Sequence, residues 1–190
     1  GTPHGDIDAE RRASGVGPTA PAATPSPSAR VLVRQRRSAV DFDGSSGMSR
    51  EQLYRMLRTL MPPLTPSLWT AFPHRQRVHP VLFLHRIDGL EPGLAILIRN
   101  RVDEPLLRTA ITNAKEWEKL PGCPDELPLY RMMTGDLGEL ARAIHCHQDI
   151  AADGALVTSM IGSFDAELER FGASAWRHLH WEAGAIGQLL

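Results

Sequence analysis

Two short apolar runs, Val81-Leu82-Phe83-Leu84 and Leu94-Ala95-Ile96-Leu97-Ile98, are separated by Asp88-Gly89 and Pro92-Gly93. Runs this short, with glycine and proline between them, read as two strands joined by a turn-rich loop. The spacing predicts a first strand within Val78–Arg86 and a second within Leu94–Ile98. A third is expected at Leu129–Met133, after Pro121, Pro124 and Pro128, and a buried one at Ala155–Ile161, bracketed by Gly154 and Gly162. Helical signals alternate with these. Ser49 and Gln52 form a capping box ahead of Leu53, Met56, Leu57 and Leu60, and Pro62-Pro63 stops that helix. Leu137, Leu140, Ala141 and Ile144 define a second helical face. The last segment reads as a long helix with Trp176, Leu179, Ile186 and Leu190 on one stripe and small residues (Ala183, Gly184, Ala185, Gly187) on its other faces. The expected class is α+β, with a short mixed or antiparallel sheet and a long core helix. No internal repeat is visible.

The chain has 190 residues, of which 42% are hydrophobic and 23% charged, enough apolar mass for one sizeable core. A net charge of −1 gives no reason to expect nucleic acid as a partner. No apolar run reaches the roughly 18 residues that span a bilayer, and no signal segment opens the chain. Two cysteines, Cys123 and Cys146, do not make a disulfide scaffold, and a reduced cytoplasmic setting fits best. Residues 1–29 have a linker composition: from Ala13 to Ala29 there is no charge, and Pro18, Pro21, Pro25 and Pro27 favour extended, solvated backbone. A disordered tail or a connection to a preceding domain are the two readings of it. Residues 30–190 form the domain. The chain opens on Gly1 and stops at Leu190 in an apolar, cap-free stretch, which reads as a fragment of a longer protein truncated at its C-terminus.

Chemistry concentrates in Arg34-Gln35-Arg36-Arg37-Ser38, where Arg30, Arg34, Arg36 and Arg37 are joined by no acid. Guanidinium forks with an adjacent hydroxyl suit phosphate oxygens. The competing reading is a solvated basic helix end, in which arginines stabilise the last carbonyls. His145-Cys146-His147 invites a metal or thiol reading, and His178 and His180 invite a metal one. Consecutive helical residues point about 100° apart, so these histidines do not converge as zinc ligands at the usual spacings; no metal is expected. Cys146 falls at a helix C-terminus, where the dipole opposes a thiolate, and reads as a small buried hydrophobe. His147 then reads as a capping donor or, with Gln148, as part of a pocket. No nucleophile elbow, P-loop or dinucleotide fingerprint is present. The four tryptophans read as core and interface anchors.

Arg36-Arg37-Ser38, followed by Phe42, a loop and the Ser49-capped helix, resembles the opening of the nitroreductase family of flavin oxidoreductases. The stretch from Leu82 to Leu94, with Arg86-Ile87-Asp88-Gly89-Leu90-Glu91-Pro92-Gly93, is similar to a signature of the SagB-type and thiazole/oxazole dehydrogenase branch. Ala95 stands where that branch carries tyrosine. The resemblance continues through Cys146-His147-Gln148-Asp149-Ile150-Ala151 and ends in the run from Trp176-Arg177 through Trp181-Glu182-Ala183-Gly184-Ala185-Ile186-Gly187-Gln188-Leu189-Leu190, which looks like the family's central helix at its two-fold interface.

The resemblance implies a nitroreductase-like fold, FMN as cofactor, and a phosphate and ribityl site made by Arg36, Arg37 and Ser38, with Gln148 at the flavin pocket. It implies a homodimer or a tandem pseudo-dimer within one chain. It also implies two-electron transfer, with NAD(P)H or a modified peptide as the electron source. No general acid or base is assigned. The alternative is a non-catalytic paralogue that keeps the fold as the docking or peptide-recognition half of a larger protein.

Overall fold

A computed structural model describes residues 28–62, 68–72, 75–112 and 117–190. Most of the 1–29 linker expectation, and Pro63 of the helix stop, lie outside the described residues. The chain divides into two units, Gly1–Ser38 and Ala39–Leu190.

The described part of the first unit is a single helix, α1 (Ala29–Gln35). Ser28 caps it by accepting from the Val31 N–H, and the Arg36 N–H closes its last turn on Leu32 O. It buries none of its residues within that unit. A seven-residue helix has little stability of its own, because nucleation costs more than so few hydrogen bonds return.

The second unit is built on a five-stranded antiparallel sheet of order β5-β6-β4-β2-β7, made of β2 (Val78–Leu84), β4 (Gly93–Leu97), β5 (Glu118–Lys119), β6 (Leu129–Thr134) and β7 (Leu156–Gly162). A small parallel pair, β1 (Met48–Ser49) with β3 (Ile87–Asp88), sits apart. Strand β2 lies inside the sheet, flanked by β4 and β7 and buried at all seven positions, which accounts for its unbroken apolar run. Pro80 is tolerated there because pairing with β4 begins only at Val81. At Gly93 a Cβ would lie 2.2 Å from Met133 O, so only glycine permits the close approach of β6 beside the register shift at Leu94/Ala95.

Among the described residues, this unit also has six helices and two 3-10 turns (Leu68–Ala71, Arg101–Asp103): α2 (Arg50–Arg58), α3 (Glu104–Ala110), α4 (Gly138–Ile144), α5 (Ile150–Asp153), α6 (Asp165–Phe171) and α7 (Ser174–Leu189). One core joins α2 (Leu53, Tyr54, Leu57) and Leu60 to Leu82, Leu84, Leu97 and Leu129 of the sheet and to Leu179 and Ile186 of α7. A smaller cluster of Val81, Ile96, Ile98 and Met132 forms separately. The α2 start is the expected capping box, with Ser49 and Gln52 bonded reciprocally at 3.0 and 3.1 Å.

Four expectations need correction. The α2 helix ends at Arg58 rather than running to Pro62, because Leu60 and Met61 bond three residues back and tighten the chain into turns. On α4 only Ala141 is buried, while Leu140 and Ile144 are 48% and 53% exposed. The contact of this segment with the sheet is made by His145, just past the helix, whose ring meets Ser159 and Phe83. On α7 the buried stripe is Ala175, Leu179, Glu182 and Ile186, and Trp176 is 52% exposed. Glu182 occupies an apolar-looking position because a buried arginine pairs with it. Finally, β7 is half-buried rather than buried, being an edge strand of the described sheet.

Candidate functional site

The two ends of β2 carry the polar chemistry of the second unit. At its start lies a buried ionic network. Arg99, with no exposed side-chain surface, pairs through Nη1 with Glu182, donates from Nη1 to Val78 O at 3.0 Å and from Nε to Leu60 O at 2.7 Å, and stacks over Trp69. Glu182 also accepts the backbone N–H groups of Arg77 and Val78. Arg77 bridges Asp103 at 2.8 Å and Glu167 at 2.7 Å. The Arg99 N–H donates to His79 Nδ1 at 3.1 Å, so the ring's proton is on Nε2, facing Asp103 at 3.3 Å. Burial pushes the His79 pKa down, more strongly than Asp103 lifts it. Burial likewise lowers the Arg99 pKa, against Glu182. Apart from Arg99 Nη2, which has no hydrogen-bond partner among the described residues, the donors named here are aimed at groups of the fold, so the network anchors α6, α7 and the turn after α2 to the sheet.

At the end of β2 an open cleft of about 470 Å³ is lined by His85, Arg86, Pro92, Asp136, Gly138, Glu139 and Ala152. Arg86 is spent on the backbone, donating from Nε to Ser46 O at 3.1 Å and from Nη2 to Asp153 O and Gly154 O. It ties the 43–47 loop and the end of α5 to the strand. The His85 Nε2–H donates to Ala151 O at 2.9 Å, leaving Nδ1 as an acceptor, and burial lowers the ring's pKa. Asp136 accepts the Gly138 N–H at 2.9 Å, and Glu139 pairs with Arg142. The Asp43 carboxylate, in the loop that Arg86 holds, takes the Ser46 hydroxyl and the N–H groups of Ser45 and Ser46, which keep its pKa well below the usual carboxylate range. A second, smaller cavity of about 120 Å³ lies between Gly162 and Met160 of β7 and Leu179, His180 and Ala183 of α7.

The residues singled out by sequence fall as follows. Arg36, Arg37 and Ser38 directly follow α1 in the first unit, and all three are exposed. Arg37 Nη1 donates to Arg34 O and Arg36 O, both at 2.9 Å, as expected of a basic helix end. The side chains of Arg36 and Ser38 have no partner among the described residues. Gln148 lies in the second unit, exposed in the turn between α4 and α5, with its N–H on His145 O at 3.2 Å. Cys146 is exposed, not a buried hydrophobe, because the chain reverses at that point through positive φ. Cys123 is half-buried, and burial raises its thiol pKa. Of the tryptophans, Trp69 is a core residue, whereas Trp176 and Trp181 are largely exposed. Sequence reading did not single out His79, His85, Arg99 or Glu182. The one local signal was the position of His85-Arg86 between a strand and a glycine-proline loop.

No family model matches the chain, and no curated protein matches it. It is similar in structure to a candidate nitroreductase from Anabaena variabilis ATCC 29413, solved at 1.80 Å resolution, with a TM-score of 0.59 and 14% sequence identity over 84% of this chain. The chain spans 28% of that protein's length. At this identity the likeness speaks to the fold, which is α+β and nitroreductase-like. Among the described residues, no helix is long and apolar enough to cross a membrane.

Proposed function

We propose that this chain is part of an FMN-dependent oxidoreductase of the SagB-type or thiazole/oxazole dehydrogenase branch, working in the cytoplasm as a homodimer or a tandem pseudo-dimer. The observation that carries the reading is the structural likeness to a nitroreductase candidate over 84% of the chain. It is supported by the sequence landmarks that carry the resemblance: Arg-Arg-Ser just after α1, the Arg86–Gly93 stretch from β3 to the start of β4, and the run from Trp176 to Leu190 that makes up most of α7.

The residues present fit the phosphate end of such a cofactor. Among the described residues, Arg36 and Ser38 keep their side-chain donors open, and Arg37 commits only Nη1, leaving Nη2 and Nε for an anion. A rigid guanidinium fork suits phosphate oxygens better than an ammonium would. Arg36, Arg37 and Ser38 would hold the phosphate and ribityl end, and Gln148 would lie at the flavin pocket. When bound, FMN supplies two-electron chemistry, with NAD(P)H or a modified peptide as electron source. The chain's own work in this reading is binding and orientation.

A second reading, a non-catalytic paralogue serving as a docking or peptide-recognition half, draws support from Ala95. It is fully buried in the main core, so the position where the branch carries tyrosine here takes only a methyl group. The absorbance spectrum of the purified full-length protein separates the two. Flavin bands, with FMN released on denaturation, support the oxidoreductase. A protein that remains colourless after incubation with FMN supports the paralogue.

A further inference from the structure

Just before Gln148, the His145-Cys146-His147 turn has an unusual backbone. Cys146 and His147 both hold positive φ, 59° and 57°, the only non-glycine residues among those described to do so. Side-chain-bearing residues persist there when the surroundings over-determine them, and such strain gathers at functional positions. The residue just before these two is His145, which turns its ring onto the sheet. There it meets Phe83 edge-on, with ring centroids 5.9 Å apart at 86°.

The hydrogen bonds of this ring fix its tautomer. His145 Nδ1 lies 2.7 Å from Ala141 O, and a carbonyl only accepts, so Nδ1 carries the proton. Nε2 therefore presents a lone pair, and Ser159 Oγ, 3.0 Å away on β7, donates its hydroxyl to it. A hydroxyl nucleophile, a base within hydrogen-bond reach and a third group orienting the base are the parts of an activated serine. Here a backbone carbonyl is the orienting group. Both side chains are half-buried, not sealed in the core.

We propose that Ser159 and His145 form a nucleophile–base pair able to hydrolyse small activated esters, an activity separate from flavin chemistry. Ser159 Oγ bonds to the ester carbonyl carbon as its proton passes to His145 Nε2. The ester C–O bond breaks, and the leaving oxygen takes that proton. A water molecule then adds to the acyl carbon and gives a proton to Nε2; the Oγ–C bond breaks, the acid departs, and the proton returns to Ser159.

The test uses the full-length protein with a fluorophosphonate probe and with p-nitrophenyl butyrate. The expected result is one label per chain, mapped by peptide mass spectrometry to Ser159, together with hydrolysis above buffer. Ser159→Ala should abolish both. His145→Gln should lower turnover by about 100-fold or more, the usual worth of a general base. Cys146→Ser should leave turnover unchanged. The proposal is overturned if no label reaches Ser159 in the wild-type protein, or if hydrolysis falls with Cys146→Ser instead. Mapping the label on wild-type protein keeps the test decisive even where a variant fails to fold, and flavin content does not enter the readout.

Discussion

Arg99 and Arg36 are the same residue under opposite conditions. Arg99 has no exposed side-chain surface and is held by Glu182, by two carbonyls and by the face of Trp69. Arg36 is exposed after α1, with no side-chain partner among the described residues. A guanidinium whose donors are committed to the fold is a structural element; one whose donors are open is available to a ligand. The difference lies in what surrounds each fork, so loss of Arg99 or its partner should cost stability, and loss of Arg36 should cost affinity.

The largest effect is expected at Glu182. Glu182→Ala leaves Arg99 buried without its counter-charge, a loss of about 3–5 kcal/mol by urea unfolding. Replacing both partners, with Arg99→Met and Glu182→Leu, should recover much of that loss, since a well-packed apolar pair removes the stranded charge. A double variant no better than Glu182→Ala would contradict the anchoring role.

The same network sets an acid limb. His79 is held neutral by burial, its pKa lowered below the ordinary imidazole value. As pH falls below about 6.5, the unfolded chain's imidazole takes up a proton that the folded ring resists. Stability therefore declines as pH falls through that range and is level above it; burial acts on His85 in the same direction. Melting temperatures read from about pH 7.5 down to about pH 5.5 should fall, and His79→Gln, which can still accept from Arg99 N–H and donate to Asp103, should flatten the decline. An unchanged slope in that variant would assign the limb elsewhere.

Smaller effects mark the boundary between local and tertiary control. Ser49→Ala removes the cap of α2 and should cost about 1 kcal/mol in urea unfolding. Leu140→Ser and Ile144→Ser, on the open face of α4, should each change stability by less than about 0.5 kcal/mol. A loss of several kcal/mol at either would restore the buried α4 face expected from its periodicity.

These contrasts also explain what could be read from sequence. The β2 and β4 strands were legible because a sheet interior demands unbroken apolar runs, and the Ser49–Gln52 start because capping is local. The burial of α7 was legible only in part: Leu179 and Ile186 are buried as expected, but Glu182 is stabilised inside by an arginine 83 residues away in sequence. The polarity of α4 was also hidden, because the contact with the sheet is made by a histidine just past its end. Near α1 the arginine cluster was conspicuous, and sequence correctly kept a helix-end reading beside the phosphate one: Arg37 bonds its own helix carbonyls. At β2 the buried Arg99 drew no notice, because a lone charge in sequence gives no sign of its distant partner.

The most direct measurement of the central claim is an FMN titration followed by flavin fluorescence, on the full-length protein and on its Arg36→Ala and Arg37→Ala variants. The account predicts saturable binding to the wild type, weakened about 10- to 100-fold in each variant, with unfolding midpoints unchanged. Wild-type affinity in both variants would contradict the phosphate site. No binding to the wild-type protein would contradict the flavin reading itself.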